Sequence, residues 1–349
     1  RKFCYSYKAQ LQPKSVFLTV NRACNMNCKI CYAREAVGNL GDMSLELACS
    51  LTKLAVDSGA KMITLIGGEP TLWPWLKKYN QFTQGYIRTS IVTNALAFAN
   101  LSYQKKYSQN PNYGIGISLK ASTPEKLSVT AEGVNWGKML KGVRQALKLP
   151  RSGVSFVCTP DDCDITRAAT LVKSLGGSSL SLNLYRPSFI SGQWESVYEW
   201  AQIREMLLEI VRQFPIAEKI FDGKLFLSGK YPLCVWPKSF LDERIVKHQI
   251  STGCMLSKRK GLVFDSKGSV VMCNHLHPYL IGQYGVDFTT TDEFLAFLGK
   301  NTTMQIYDQT SRFPSLKCKE CKIYDICTGG CVVLWTYFQP DAIVQPERR

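Results

Sequence analysis

Three cysteines follow a short apolar segment, Ser15–Val20, as Cys24-x3-Cys28-x2-Cys31. Thiols so close together point to metal or redox chemistry more than to disulfides. The chain has fourteen cysteines in 349 residues, below the roughly 8–10% of a small disulfide scaffold. They are unevenly placed, with three in Cys24–Cys31 and four in Cys318–Cys331. Three thiolates on one loop can hold three irons of a 4Fe–4S cube and leave the fourth iron open for reaction. Zinc would want a fourth Cys or His close by; the next candidate, Cys49, lies in a predicted helix.

The surroundings of that loop suggest its scaffold. Ser15–Val20 reads as a buried strand, and Ser44 caps a helix carrying Leu47, Leu51 and Leu54 that ends at Gly59. Further strands are expected at Met62–Ile66, Thr89–Val92, Tyr113–Leu119, Val154–Cys158 and Ser179–Tyr185, with helices at Gly137–Leu147 and Ile165–Leu175. This alternation implies βαβ units and a parallel sheet. A long helix is expected over about Trp194–Phe214. Beyond residue 225 the pattern changes to short turns, a hairpin (Gly261–Phe264 and Ser269–Met272, joined by Asp265–Gly268) and two cysteine groups. The expected division is therefore 1–225 and 226–349. Hydrophobic residues make up 45% and charged residues 20%, an ordinary globular composition. No apolar run reaches the roughly 18 residues of a membrane helix, and no secretory signal is visible, so a cytoplasmic location is expected. No initiator Met is present, which leaves open whether residues precede Arg1.

With Ile30 before its last cysteine and Tyr32 after it, the loop resembles the cluster loop of radical S-adenosylmethionine (SAM) enzymes. Gly67-Gly68-Glu69-Pro70, ending the second strand, resembles the family turn that contacts the cofactor's methionyl amine. Two glycines allow close backbone approach, and Glu69 supplies an acceptor for an ammonium group. Thr93-Asn94 and Ser118-Leu119-Lys120 end the next two strands, where the family places groups on the cofactor's ribose and carboxylate. Arg186 is a further candidate for the carboxylate. Functional residues at strand C-termini fit parallel α/β sheets generally. The resemblance implies an α/β fold, a partial (β/α)6 TIM-like barrel. It also implies reductive cleavage of SAM to a 5′-deoxyadenosyl radical, with electrons from a flavodoxin- or ferredoxin-type donor.

The C-terminal cysteines, Cys318-x2-Cys321-x5-Cys327-x3-Cys331 with Cys254 and Cys273 upstream, resemble the SPASM extension of such enzymes. The resemblance implies a small C-terminal iron–sulfur domain with one or two auxiliary 4Fe–4S clusters. A zinc ribbon is the alternative. By transfer, Cys254, Cys273 and Cys331 would hold the first cluster, with Cys234 as a possible fourth ligand or else a structural thiol. Cys318, Cys321 and Cys327 would hold the second, with Asp341 or an open iron completing it. The place of an extra early cysteine is taken by Lys258–Gly261, and no cysteine follows Cys331.

Other residues carry secondary readings. His275 and His277 could contact a cluster sulfur or face solvent, and His248 has no assigned role. Asn274 stands where sulfatase-maturing relatives have an Asp base, which argues against formylglycine-type oxidation. Cys158 could donate a hydrogen atom, as epimerase relatives require, or be a core thiol; Cys4, Cys49 and Cys163 read as structural. A net charge of +16 suggests a solvated basic surface or attraction to an acidic leader peptide. The tail Pro346–Arg349 is too short to be an RNA-binding module and no other such signature is visible, so nucleic acid is not the expected partner. A leader-binding domain is expected to be absent or encoded separately. The reading is thus a peptide-modifying maturase that forms an oxidative cross-link in a ribosomally made precursor. Epimerisation, a small-molecule or tRNA substrate, and a zinc-binding interaction module are the alternatives.

Overall fold

The computed structural model describes residues 13–33, 41–103, 113–228, 230–254, 256, 261–310 and 313–345. Cys4, Lys258–Lys260 and the Pro346–Arg349 tail lie outside them. Strands β1 (Ser15–Asn21), β2 (Met62–Gly67), β3 (Arg88–Thr93), β4 (Tyr113–Leu119), β5 (Ser152–Cys158) and β6 (Leu180–Leu184) run parallel in sequence order. Between them lie α1 (Leu45–Asp57), α2 (Leu76–Thr83), α3 (Pro124–Thr130), α4 (Trp136–Leu147) and α5 (Ile165–Ser174). This is the α/β alternation of a partial barrel, and every parallel strand delivers its C-terminal end to the same rim.

Local chemistry explains the elements. Ser44 Oγ accepts the Leu47 N–H at 3.1 Å, and α1 stops at Gly59, whose φ of 94° suits glycine. Leu51 and Leu54 turn into the core. On β4 alternate residues are buried, so Ile115, Ile117 and Leu119 pack inward. A Cβ on Gly142 would come within 2.1 Å of the Ala95 carbonyl, so α4 can dock there only because that position carries no side chain.

The long helix starts later than its apolar pattern suggests. Ser188–Ile190 (β7) and Gln193–Glu195 (β8) form a hairpin, turning through Ser191 and Gly192 at φ of 51° and 82°. Trp194 belongs to that hairpin, and α6 spans Trp200–Ile220 after a capping box of Glu199 and Gln202. The turn wins over helical periodicity because it pairs two strands around left-handed residues.

β9 (Leu225–Leu227) pairs with β6, so the division expected at 225/226 falls inside a strand of the sheet. The expected hairpin forms as β10 (Gly261–Phe264) and β11 (Ser269–Val271), closed by the Gly268 N–H on the Asp265 carbonyl at 3.1 Å. β10 pairs parallel with β1, and β12 (Leu280–Gln283) pairs with β11. Among the described residues ten strands form one sheet, in the order β12-β11-β10-β1-β2-β3-β4-β5-β6-β9. The C-terminal region therefore extends the barrel sheet at the edge beside β1. At the other edge Arg244, 1% exposed, bonds Glu218 on α6 and Gln249, each at 2.8 Å. No helix among the described residues is long and apolar enough to cross a membrane.

Candidate functional site

The end of β2 lies directly against the entry to the cysteine loop. The Gly68 N–H bonds the Asn21 carbonyl at 3.1 Å and the Glu69 N–H the Ala23 carbonyl at 2.8 Å. A Cβ on Gly67 would sit 2.4 Å from the Asn21 carbonyl oxygen, and one on Gly68 would sit 2.2 Å from that of Ala23. Close backbone approach is thus what both glycines provide. Pro70 opens the short turn that follows.

Glu69 is 1% exposed, and its carboxylate ties the ends of β2 and β3 together. Oε1 accepts from the Thr71 hydroxyl and the Thr93 hydroxyl, each at 2.6 Å, and from the Thr71 N–H at 3.1 Å. Oε2 accepts the Asn94 N–H at 2.8 Å. Burial pushes this carboxyl above the usual carboxylate range, against the four donors that pull it down. Three of those donors occupy Oε1, so further acceptor capacity lies on Oε2. Asn94 reaches from β3 to the loop, its amide donating to Asn25 Oδ1 at 2.7 Å. Thr93 and Asn94, expected at the cofactor's ribose and carboxylate, here organise Glu69 and the loop.

Cys24, Cys28 and Cys31 are thiols on this loop, and Cys24 lies within electrostatic range of the other two. The loop is fixed where it crosses the end of α3: Cys28 pairs with Ala131, and the Lys29 N–H bonds the Thr130 carbonyl at 2.9 Å. The Cys31 N–H closes a turn onto the Cys28 carbonyl at 3.1 Å. Burial pushes the Cys24 thiol up to about 11 and the Cys28 thiol upward too, while Lys120 pulls the latter down. Lys120 donates to Ser118 Oγ at 2.8 Å, so the end of β4 sets a cation beside the loop.

The exit of the loop meets the C-terminal cysteines. The ring of Tyr32 lies 4.6 Å from that of His275, and its hydroxyl bonds Asn274. Arg186 Nη1 donates to His275 Nε2 at 3.1 Å, which leaves the ring proton on Nδ1. That Nδ1 is buried with no hydrogen-bond partner among the described residues. Burial holds His275 well below the ordinary imidazole range, and burial beside Arg22 brings His277 down to about 4. Both histidines are half-buried. His248 follows the helix Lys238–Val246 and is exposed, its N–H bonding the Ile245 carbonyl at 3.0 Å.

Cys254, Cys273 and Cys331 lie within electrostatic range of one another, with Arg186 beside Cys273 and Cys331. Arg186 thus stands at the C-terminal cysteines. Burial pushes Cys273 up to about 12, and its thiol donates to Asn274 Oδ1 at 3.4 Å. Cys318, Cys321 and Cys327 line a cavity, whose lining also includes Cys234. Cys234, considered from the sequence for the first trio, is therefore placed with the second. Asp341 is not part of that lining; it is exposed, and its carbonyl accepts from Lys317 at 3.1 Å.

Cys158, at the end of β5, is 0% exposed within the apolar core, its thiol pushed well up by burial beside Cys163 and Asp162. Sequence reasoning gave no role to Asn21, Asn25 or Thr71. Their signal was proximity to the two motifs, which becomes informative only when the strand ends meet.

Residues 18–169 match the Radical SAM superfamily. That stretch is a Radical SAM domain, and SAM and a 4Fe–4S cluster are the cofactors of that superfamily. The cysteine-type anaerobic sulfatase-maturating enzyme of Clostridium novyi is 23% identical over 88% of this chain and 84% of its own length. Human molybdenum cofactor biosynthesis protein 1 is 25% identical over 58% of this chain and 33% of its own length. Among solved structures, Streptococcus suis SuiB bound to precursor peptide SuiA shares the fold with a TM-score of 0.73 at 18% identity, covering 96% of this chain and 76% of that one. The structure of anSMEcpe with AdoMet and the Cp18Cys peptide gives 0.68 at 18% identity, over 91% and 89%.

The residues present fit these cofactors. Three buried or half-buried thiols share one short loop, and the glycine turn beside them leaves no room for a Cβ. Glu69 Oε2 retains capacity for an ammonium group.

Proposed function

We propose that this enzyme abstracts hydrogen from a ribosomally synthesised peptide and forms an oxidative cross-link in it. The observation that carries the reading is the shared fold with peptide-bound SuiB, which runs through the C-terminal cysteine region as well as the barrel. When bound, the cluster and SAM supply reductive cleavage of the sulfonium and a carbon-centred radical that takes hydrogen from substrate. Cys24, Cys28 and Cys31 would hold the cluster. Gly67 and Gly68 let the backbone approach the methionyl end, and Glu69 holds the strand ends in register. The first C-terminal trio, Cys254, Cys273 and Cys331, stands across Tyr32 and His275 from the loop, a position suited to accepting the surplus electron. Asn274 bonds Tyr32 and Cys273, and an amide is no base at neutral pH, which favours cross-linking over formylglycine formation.

The net charge of +16 suits a precursor with an acidic leader, and a separate leader-binding protein would be a partner alongside the electron donor. Anaerobic incubation with a small acidic peptide encoded beside this gene tests the reading by mass spectrometry. Loss of two hydrogens is the expected result. Unchanged mass with deuterium uptake from solvent would show epimerisation instead. A second reading, a small-molecule substrate, is favoured by the 29% identity to a probable GTP 3′,8-cyclase of Metallosphaera sedula, which covers 37% of this chain and 41% of that protein. Cofactor cleavage that does not respond to peptide would favour it.

A further inference from the structure

The segment Lys230–Cys234 runs between the two C-terminal cysteine groups and touches both. The Cys331 N–H bonds the Lys230 carbonyl at 2.6 Å, beside the first trio. Three residues further on, the Leu233 N–H donates to Cys327 Sγ at 3.2 Å, a buried bond. Cys234 follows at once, in the short turn Leu233–Val235, and lines the same cavity as Cys318, Cys321 and Cys327. It also lies within electrostatic range of Cys318 and Cys327.

The backbone is shaped to allow this. Thr328, Gly329 and Gly330 are all left-handed, with φ of 50°, 75° and 78°. That reversal sends Cys327 toward one cysteine group and Cys331 toward the other. A Cβ on Gly330 would sit 2.7 Å from Pro232 N and 3.0 Å from the Lys230 carbonyl, so glycine there lets the 230–234 segment lie against the turn. The four thiols stand around a cavity; among the described residues no group of His, Cys, Asp or Glu is gathered to hold a single metal ion.

We propose that Cys234 is the fourth protein ligand of the second auxiliary cluster, completing it with Cys318, Cys321 and Cys327. The ligand comes from the chain before the C-terminal cysteine run. Each thiol loses its proton on ligation, the cluster being assembled from sulfide with ferrous and ferric iron in equal amounts, so that no further oxidant is needed. The second cluster is then closed by cysteine. The first would have Cys254, Cys273 and Cys331 as its cysteine ligands among the described residues. The cluster itself rests on the family reading above.

The test uses the full chain carrying Cys24→Ala, Cys28→Ala and Cys31→Ala, reconstituted with iron and sulfide, so that only auxiliary clusters report. Iron, zinc, electron paramagnetic resonance and Mössbauer spectra are read without any substrate. Adding Cys234→Ala should remove up to about four irons per chain or leave a three-iron signal. The Cys318→Ala addition should do likewise. Cys234→Ser, nearly isosteric, should retain iron but shift the spectra, because oxygen replaces sulfur at one iron; it decides the matter if the Ala variant does not fold. Unchanged iron and spectra in both Cys234 variants would overturn the proposal, as would zinc in place of iron at this site. Absence of a peptide product would sink the proposed reaction and leave this readout intact.

Discussion

Cys24, Cys28 and Cys31 share one loop, whereas the C-terminal cavity draws its thiols from segments as far apart as Leu233 and Cys327, 94 residues distant. The loop is closed by its own turn, Cys31 onto Cys28, and two strand ends fix it. The C-terminal cavity depends on β9, α6 and the Arg244 bonds first bringing residues 230–250 onto the barrel edge. A local motif needs little chain to be ordered before its ligands meet; a dispersed one requires the closure of long loops. The comparison teaches that the reactive site is built into the barrel, while the auxiliary site reports how the C-terminal region docks.

The largest test of that contrast is the Cys24→Ala, Cys28→Ala, Cys31→Ala variant. It should lose all 5′-deoxyadenosine formation while the C-terminal cysteines keep their iron. Residual reductive cleavage of SAM in this variant would break the assignment. Glu69→Gln comes next. It puts an amide donor among the four donors that now face a carboxylate, and bonds to a charged group contribute about 1.5–3 kcal/mol. A loss of about 3 kcal/mol in urea unfolding, with most activity gone, is expected. Stability within experimental error of the parent would show that the carboxylate does not hold the strand ends.

Gly68→Ala sharpens the comparison further. Its Cβ would collide with the Ala23 carbonyl, so the backbone must shift at the mouth of the loop. A cost of about 1–3 kcal/mol is expected from such overpacking. The iron of the N-terminal cluster should fall while the auxiliary iron holds, as read by metal analysis. The smallest effect is expected at Thr328→Val. It removes the hydroxyl that accepts the Cys254 N–H at 3.2 Å, which should cost about 1 kcal/mol. Denaturant midpoints would measure it, and a change confined to the N-terminal cluster would contradict the placement of Cys254.

Much of the barrel was legible because its strands are short, β-branched and separated by capped helices. Ser44 and Gly59 stand where the sequence puts the ends of α1. Trp194 was misplaced because apolar spacing alone does not register a Ser191-Gly192 turn that pairs two short strands. Arg186 follows the end of β6, as the sequence suggested, yet it points to His275 and the C-terminal cysteines. That direction depends on β10 pairing beside β1, a contact no local pattern encodes.

The sequence by itself determined the three-cysteine loop, the glycine turn and the order of strands that places both on one rim. Those follow from local chemistry: thiol spacing, glycine's freedom and the alternation of buried residues. Only the tertiary structure decided that Glu69 spends its Oε1 on Thr71 and Thr93, and that Tyr32 packs against His275. It alone brought Cys234 to the cavity of Cys318, Cys321 and Cys327. The reason is physical. Each of these contacts joins segments far apart in the chain, and their meeting is set by sheet order and by left-handed turns such as Thr328–Gly330, not by the spacing of neighbours.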